Sequence, residues 1–287
     1  MTVDFSPAGE RGFVSVRVVA TGALIAIAIA ANFWLAARSM RVIVDGGLAV
    51  DWVQLLEAGR RVTQGGLYQV TETYAYPHSP LLAYLLMVLS WLETPLWRFA
   101  HLIGAMAMPT WPMRLATLLS WPFWFDVETG NALTFVLLAA AWAVRGSRIG
   151  TGAFLAMTIL MPRPLMLPVA AWLLWKRPTW RAPVAAAALF SAGLVLSSGW
   201  TDEWAGYLLG ISTHFQSPNN LGPTRFVGTI WLVVAIPLAV WLTRRGHLGW
   251  ASLTSSYPYL YPYYFLMLAL EISRWSRWVR PRGEPLR

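Results

Sequence analysis

The sequence predicts an all-α, polytopic integral membrane protein with roughly 8–10 transmembrane or half-membrane helices. Three observations predict it. First, 57% of the 287 residues are hydrophobic and only 12% are charged, with a mean hydropathy of +0.50. Soluble domains carry about 25% charged residues, and a hydrocarbon core demands about 20 mostly apolar residues per helical span. Second, the apolar runs are punctuated by short basic clusters, all arginine except Lys176, as expected where positive charge fixes topology. Third, there are 18 Trp and 10 Tyr, residue types that favour the membrane–water interface. The chain has no cysteine, which excludes disulfides, thiolate zinc sites and thiol nucleophiles. The net charge of +9 comes with no nucleic-acid motif and is assigned to topology.

Taken in order, residues 1–16 form a polar cytoplasmic start and residues 17–37 the first span. That span follows Arg11 and Arg17 as a signal peptide would, but it is long for one and ends at a poor cleavage site. A polar loop, residues 38–79, lies on the outer side. Within it, Asp51 to Thr63 reads as a short amphipathic helix, since Trp52, Leu55, Leu56 and Val62 recur near helical spacing. Short spans follow at Pro80–Leu92 and Pro95–Met108, then an interfacial, Pro- and Trp-rich segment to Asp126. An apolar run opens at Gly130–Asn131 and closes at Arg145 and Arg148.

One apolar stretch, 150–175, separates two basic clusters, Arg145–Arg148 and Lys176–Arg181, and Met161–Pro162–Arg163–Pro164 interrupts its middle. A single crossing would place one cluster outside. Two half-length helices that enter and return keep both inside. Backbone broken at membrane depth needs protein or a wet cavity around it. An arginine there is either functional or snorkels to the surface. Pro183–Ser198 crosses outward, 199–225 forms a second outer loop, and Phe226–Thr243 returns. Residues 247–272 break at Pro258, and 273–287 form a basic cytoplasmic tail. The whole chain, 1–287, reads as one transmembrane domain.

The first outer loop is the natural place for chemistry. Asp51 stands at the start of its helix, where it also suits an N-cap. Asp45, before Gly46–Gly47, is the rival acid, with a turn role as its plainer reading.

The order Asp51–Trp52, Gly65–Gly66–Leu67–Tyr68 and Tyr76–Pro77–His78–Ser79–Pro80 resembles the GT87 glycosyltransferases, also called the DUF2029 family, of the GT-C superfamily. Gly130–Asn131, Met161–Pro162–Arg163–Pro164, and Ser256–Tyr257–Pro258–Tyr259 with Pro262–Tyr263–Tyr264 resemble further elements of that family, in the same order. The resemblance implies a GT-C-like bundle. It implies transfer of a hexose or pentose, mannose-like or arabinose-like, from a polyprenyl monophosphate carrier to a lipid or glycan acceptor. It also implies an acid of the first outer loop as catalytic base, which falls on Asp51. The chain is shorter than typical members, has Met161 where the family has Lys, and has no His beside Tyr263–Tyr264.

Inverting transfer needs a base for the acceptor hydroxyl and a cation for the leaving phosphate. The planar fork of arginine suits a phosphate, so Arg163, Arg225 and Arg41 are the candidate carrier-binding residues. Tyr68, Tyr76, His78, Asn131, His214 and Tyr259 are the candidate substrate-binding residues; for the tyrosines and the two histidines, interfacial anchoring and ordinary loop positions remain open. No Asp-x-Asp pair occurs, so no metal or other cofactor is expected. The expected partners are the polyprenyl-phosphate sugar, the acceptor and membrane lipids, with no nucleic acid. The expected location is a bacterial-type inner membrane, with the site facing outward. Two other readings stay open: a catalytically inactive or accessory relative, and a lipid or solute transporter built on broken helices.

Overall fold

The computed structural model describes residues 8–71, 74–210 and 220–272, with side chains from residue 18 onward. The chain is helical, and no described residue lies in a β-strand. In order come α1 (Ala8–Val44), α2 (Val50–Gln64), α3 (Pro80–Val88), α4 (Thr94–Met106), α5 (Trp111–Leu118), α6 (Trp121–Thr129) and α7 (Leu133–Val144). There follow α8 (Arg148–Leu160), α9 (Leu167–Lys176), α10 (Arg181–Ser197), α11 (Thr201–Gly210), α12 (Thr224–Val227), α13 (Trp231–Arg245) and α14 (Leu248–Thr254), then a 3₁₀ segment, Pro262–Leu268. Proline at the first turns of α3, α4, α5 and α6 starts each helix where a missing N–H costs nothing.

Among the described residues three stretches are long and apolar enough to cross a membrane: Val18–Val44, Pro178–Ser197 and Thr224–Arg245. Their outward side chains, Leu24, Phe33, Leu189, Phe190, Val233 and Ile236 among them, are exposed, as a membrane protein's are. Other apolar helices are much shorter. At 1.5 Å per residue, α7, α8 and α9 measure about 18, 20 and 15 Å, against about 30 Å of hydrocarbon. The interruption after α8 falls where the Pro-Arg-Pro sequence requires it. Met161 leaves helical geometry, Arg163 is extended, and a 3₁₀ turn at Pro164–Met166 opens α9.

Two differences from the sequence reading stand out. The first helix extends to Val44 rather than stopping near Ala37, because no Gly or Pro occurs between Ala37 and Gly46. The second loop is not irregular throughout, since Thr201–Gly210 forms α11 with Asp202 and Glu203 in its first turn. The basic tail, with Arg274, Arg277, Arg280, Arg282 and Arg287, lies outside the described residues.

Two apolar clusters hold the bundle together. The larger joins α4–α9 to α14 and the closing segment. The smaller packs α2 and α3 with Leu67, Tyr68, Tyr74 and Tyr76, and Trp200, Trp204 and Tyr207 cover it. Gly59 lets α2 and α3 touch: a Cβ there would stand 2.8 Å from the Met87 nitrogen. Polar breaks are paired. Asn32 of α1 donates to the Leu119 carbonyl and accepts from the Trp121 N–H, both at 2.8 Å, bridging the kink between α5 and α6.

The antiparallel α7–α8 hairpin gives the bundle two ends. Arg177 donates to the Ala143 and Ser147 carbonyls and to Thr151 Oγ1, where cations complement exposed helix carbonyls. Arg145, Arg148, Lys176 and Arg181 gather at that same end. At the other end, Ser79 Oγ donates to the Leu160 carbonyl at 2.8 Å, tying the first loop to the α8–α9 break.

Candidate functional site

The first loop, the turn before α7, the α8–α9 break and the closing tyrosine segment enclose a cavity of about 470 Å³. Among the described residues, α11 adds Tyr207 and Leu208 to these four parts of the wall. Each part is held by local structure.

Asp51 sits in the first turn of α2. It does not cap the helix: the N-cap position is Ala49, with no side-chain bond. Its carboxylate turns into the cavity instead. Trp52, the next residue, anchors the helix. Its ring is 1% exposed, stacks on Trp97 at 4.1 Å and donates to the Leu92 carbonyl.

The turn Gly130–Asn131 meets the start of α2. Gly130 ends α6 in the left-handed region (φ 71°), and a Cβ there would stand 2.7 Å from Trp52 Cβ and 2.8 Å from Ala49 Cβ. Only glycine satisfies both constraints. The close approach puts Asn131 Nδ2 2.7 Å from Asp51 Oδ2. On its other side, Asn131 Oδ1 accepts from Arg163 Nη1 at 3.1 Å and from the Ala132 N–H at 2.8 Å. One amide therefore links the carboxylate to the guanidinium, and the donors on its oxygen fix which way it points.

Arg163 completes the chain of contacts. Its Nη2 lies 3.2 Å from His78 Nε2. A guanidinium has no acceptor, so Nε2 must accept and the imidazole proton sits on Nδ1. Burial, and then the neighbouring Arg163 charge, hold the His78 pKa well below its ordinary value, so the ring is neutral at physiological pH. Burial pushes the Asp51 carboxyl above the usual aspartate value, against the Asn131 bond, the Arg163 charge and a Thr129 hydrogen bond. A carboxylate with a raised pKa is a better proton acceptor once ionised.

Tyrosines form much of the remaining wall. Tyr76, Tyr207, Tyr259, Tyr261, Tyr263 and Tyr264 all line the cavity. Tyr259, Tyr261 and Tyr263 follow one another at 5.2 and 5.5 Å between ring centres, and Phe125 continues the series at 5.9 Å. This wall is held from behind. Asn220 Oδ1 accepts from the Gly222 and Leu260 N–H groups, and Thr224 Oγ1 donates to the Pro258 carbonyl.

The expected site residues therefore divide. Asp51, Arg163, Tyr76, His78, Asn131 and Tyr259 line one cavity. Tyr68 stands behind it: its hydroxyl donates to the His78 carbonyl at 2.9 Å, supporting the wall rather than facing the interior. Arg41, near the end of α1, and Arg225, on α12, are exposed and do not line the cavity. His214 lies outside the described residues. Asp45 is exposed just beyond α1, its N–H closing on the Arg41 carbonyl. His78 is buried and paired, unlike an ordinary loop histidine. Sequence reasoning did not single out Gln54 or Tyr207, which also line the cavity; Gln54 follows Asp51 by three residues, the helical spacing that returns to the same face.

Among the described residues no group of three His, Asp or Glu side chains is arranged to hold a metal ion. From the described residues the cavity has one carboxylate, one guanidinium, one neutral imidazole and a wall of phenols, which suits proton abstraction beside a singly charged anion. No protein-family model matches the chain, and comparison with curated proteins and with solved structures gives no match either.

Proposed function

We propose that the chain is a membrane glycosyltransferase of the GT87 type, moving a hexose or pentose from a polyprenyl monophosphate to a lipid or glycan acceptor. The observation that carries this reading is the pairing of Asp51 with Arg163 through Asn131 in one cavity. Asp51 takes the proton of an acceptor hydroxyl as that oxygen attacks the anomeric carbon. The new C–O bond forms while the bond from the anomeric carbon to the phosphate oxygen breaks. The electron pair leaves with the polyprenyl phosphate, where Arg163 meets the growing charge. Among the described residues Asp51 is the only carboxylate lining the cavity, and a single displacement of this kind inverts the anomeric centre. One guanidinium matches the single charge of a phosphodiester donor.

In this reading the protein is a multi-pass protein of a bacterial-type inner membrane. Arg145, Arg148, Lys176, Arg177 and Arg181 gather at the end of the bundle away from the cavity, and cytoplasmic ends carry such excess; the cavity then opens outward. Helices α8 and α9 are two half-length arms meeting at Arg163, and the cavity supplies the cover that broken backbone needs at that depth. The phenol wall suits a neutral sugar, offering ring faces and hydroxyls without competing charge.

The test uses membranes containing the chain, a panel of polyprenyl-phosphate sugars labelled in the sugar, and native lipid acceptors. The expected result is a labelled product whose anomeric configuration is opposite to that of the donor. Retention of configuration would contradict the single displacement, and no transfer from any donor would contradict the enzyme.

A further inference from the structure

We propose that His101 is a positioning residue for the cavity: from beneath the Gly130–Asn131 turn it sets the amide that joins Asp51 to Arg163. The inference rests on the reading of Asp51 as the reacting carboxylate. His101 belongs to α4, is 0% exposed and does not line the cavity. Its Nε2 meets the Asn131 carbonyl oxygen at 2.5 Å, and its Nδ1 meets the carbonyl of Trp97, one turn earlier, at 2.8 Å. Trp97 and Phe135 hold the ring edge-on at 5.1 and 4.9 Å. Trp97 also donates to the Gly130 carbonyl at 2.8 Å, so two successive carbonyls of the turn are held by side chains of α4.

Asp126 completes the layer. Its Oδ2 lies 3.7 Å from His101 Nε2 and accepts from the N–H and hydroxyl of Thr134 at 2.8 and 2.6 Å, capping the start of α7. The same residue's backbone carbonyl accepts from Gly130 and Asn131. Asp126 Oδ1 is buried without a hydrogen-bond partner among the described residues.

The consequence reaches the cavity through one peptide unit. With the ring proton on Nε2, His101 donates to the Asn131 carbonyl from below, and the Asn131 side-chain oxygen accepts from the Ala132 N–H and from Arg163. The amide nitrogen is left directed at Asp51. An apolar residue at position 101 would release the carbonyl and let the amide turn.

The test reads Asp51 directly and needs no substrate. The carboxyl stretch of Asp51 is titrated by infrared difference spectroscopy on the full chain in lipid nanodiscs, the band being assigned by its loss in Asp51→Asn. The charged and titratable groups around Asp51 are Arg163 and His78 across the cavity, Asp126 from α6, and Tyr263 and Tyr264 from the closing segment; all are kept in every variant. His101→Leu should raise the Asp51 midpoint by about one unit, the same direction as Asn131→Ala, because the carboxylate loses a donor. His101→Gln, which can still donate to the Asn131 carbonyl, should restore at least half of the shift. The double variant should move no further than Asn131→Ala alone.

An unmoved midpoint in His101→Leu, an additive shift in the double variant, or a His101→Gln no better than His101→Leu would overturn the proposal. Should His101→Leu fail to fold, His101→Asn, too short to reach the carbonyl, replaces it with the same expectation. The transfer assay separates this inference from the enzyme reading. An active wild type should lose about tenfold or more in kcat with His101→Leu while KM changes less than twofold. A wild type with no transfer removes the enzyme reading but leaves the titration to decide the role of His101.

Discussion

Replacing Gly130 by alanine tests whether the site depends on the contact between the Gly130–Asn131 turn and α2. Two costs add. The residue sits at φ 71°, and a non-glycine residue held in sparsely populated backbone space costs about 1–3 kcal/mol. The added Cβ would stand 2.7 Å from Trp52 Cβ and 2.8 Å from Ala49 Cβ, and overpacking a close contact costs about 1–3 kcal/mol more. Both obstacles are Cβ atoms rigidly attached to backbone, so α2 must move away, and Asp51 moves with it. Gly130→Ala should therefore lose about 2–6 kcal/mol in reversible unfolding in mixed micelles. It should also lose the Asp51–Asn131 contact, seen as a raised Asp51 midpoint in the infrared titration. Gly193→Ala is the control. Gly193 lies in α10 with nothing within 4 Å of its Cβ position, and helix propensity alone makes alanine neutral or better by up to about 1 kcal/mol. A Gly130→Ala protein as stable as the Gly193→Ala control, with an unchanged Asp51 midpoint, would refute the reasoning.

Other substitutions and pH probe the rest of the site. Asp51 has a folded pKa raised from 3.8, so transfer should rise with pH through a midpoint above 3.8, while the stability contributed by the protonated form is lost across the same window. It follows that Asp51→Asn, permanently neutral, should be at least as stable as wild type at pH 7; a clear loss of stability would contradict the raised pKa. Arg163→Gln should weaken binding of a polyprenyl phosphate by about 10- to 100-fold, the worth of one charge-assisted contact, whereas Arg41→Gln and Arg225→Gln should leave it unchanged in the same binding assay. Tyr68→Phe removes the donor to the buried His78 carbonyl and should cost about 1–3 kcal/mol of stability, with donor affinity shifting less than with Arg163→Gln.

Much of the frame was legible because it follows from local rules. The 3.6-residue pattern of Trp52, Leu55, Leu56 and Val62 marks the apolar face of α2: Trp52, Leu55 and Val62 are buried, and Leu56, at the edge of that face, is partly buried. Paired prolines around Arg163 forced the break between α8 and α9, and Pro258 broke the last stretch. Gly130–Asn131 and Tyr76–His78 stand out as motifs; Asn131 and Tyr76–His78 line the cavity, and Gly130 lets the turn reach α2. The parts that were not legible depend on three-dimensional placement. Arg41 and Arg225 have the right chemistry but stand on exposed turns of α1 and α12, and nothing local marks that. Tyr68 looks like Tyr76 in sequence, yet its hydroxyl is taken by the His78 carbonyl. His101 sits in an apolar helix thirty positions from the turn it contacts; a lone histidine in such a run carries no local signal beyond the cost of burying it.

The most direct test of the central claim compares Asp51→Asn with Asp45→Asn in one sugar-transfer assay, with folding checked for both. Both acids lie in the same loop and are six residues apart, but only Asp51 lines the cavity and meets Asn131. The account predicts a loss of about 10²- to 10⁴-fold for Asp51→Asn, the usual range for a general base, and near-wild-type transfer for Asp45→Asn. Transfer that survives Asp51→Asn, or falls equally in both variants, would contradict the assignment of Asp51 as the base.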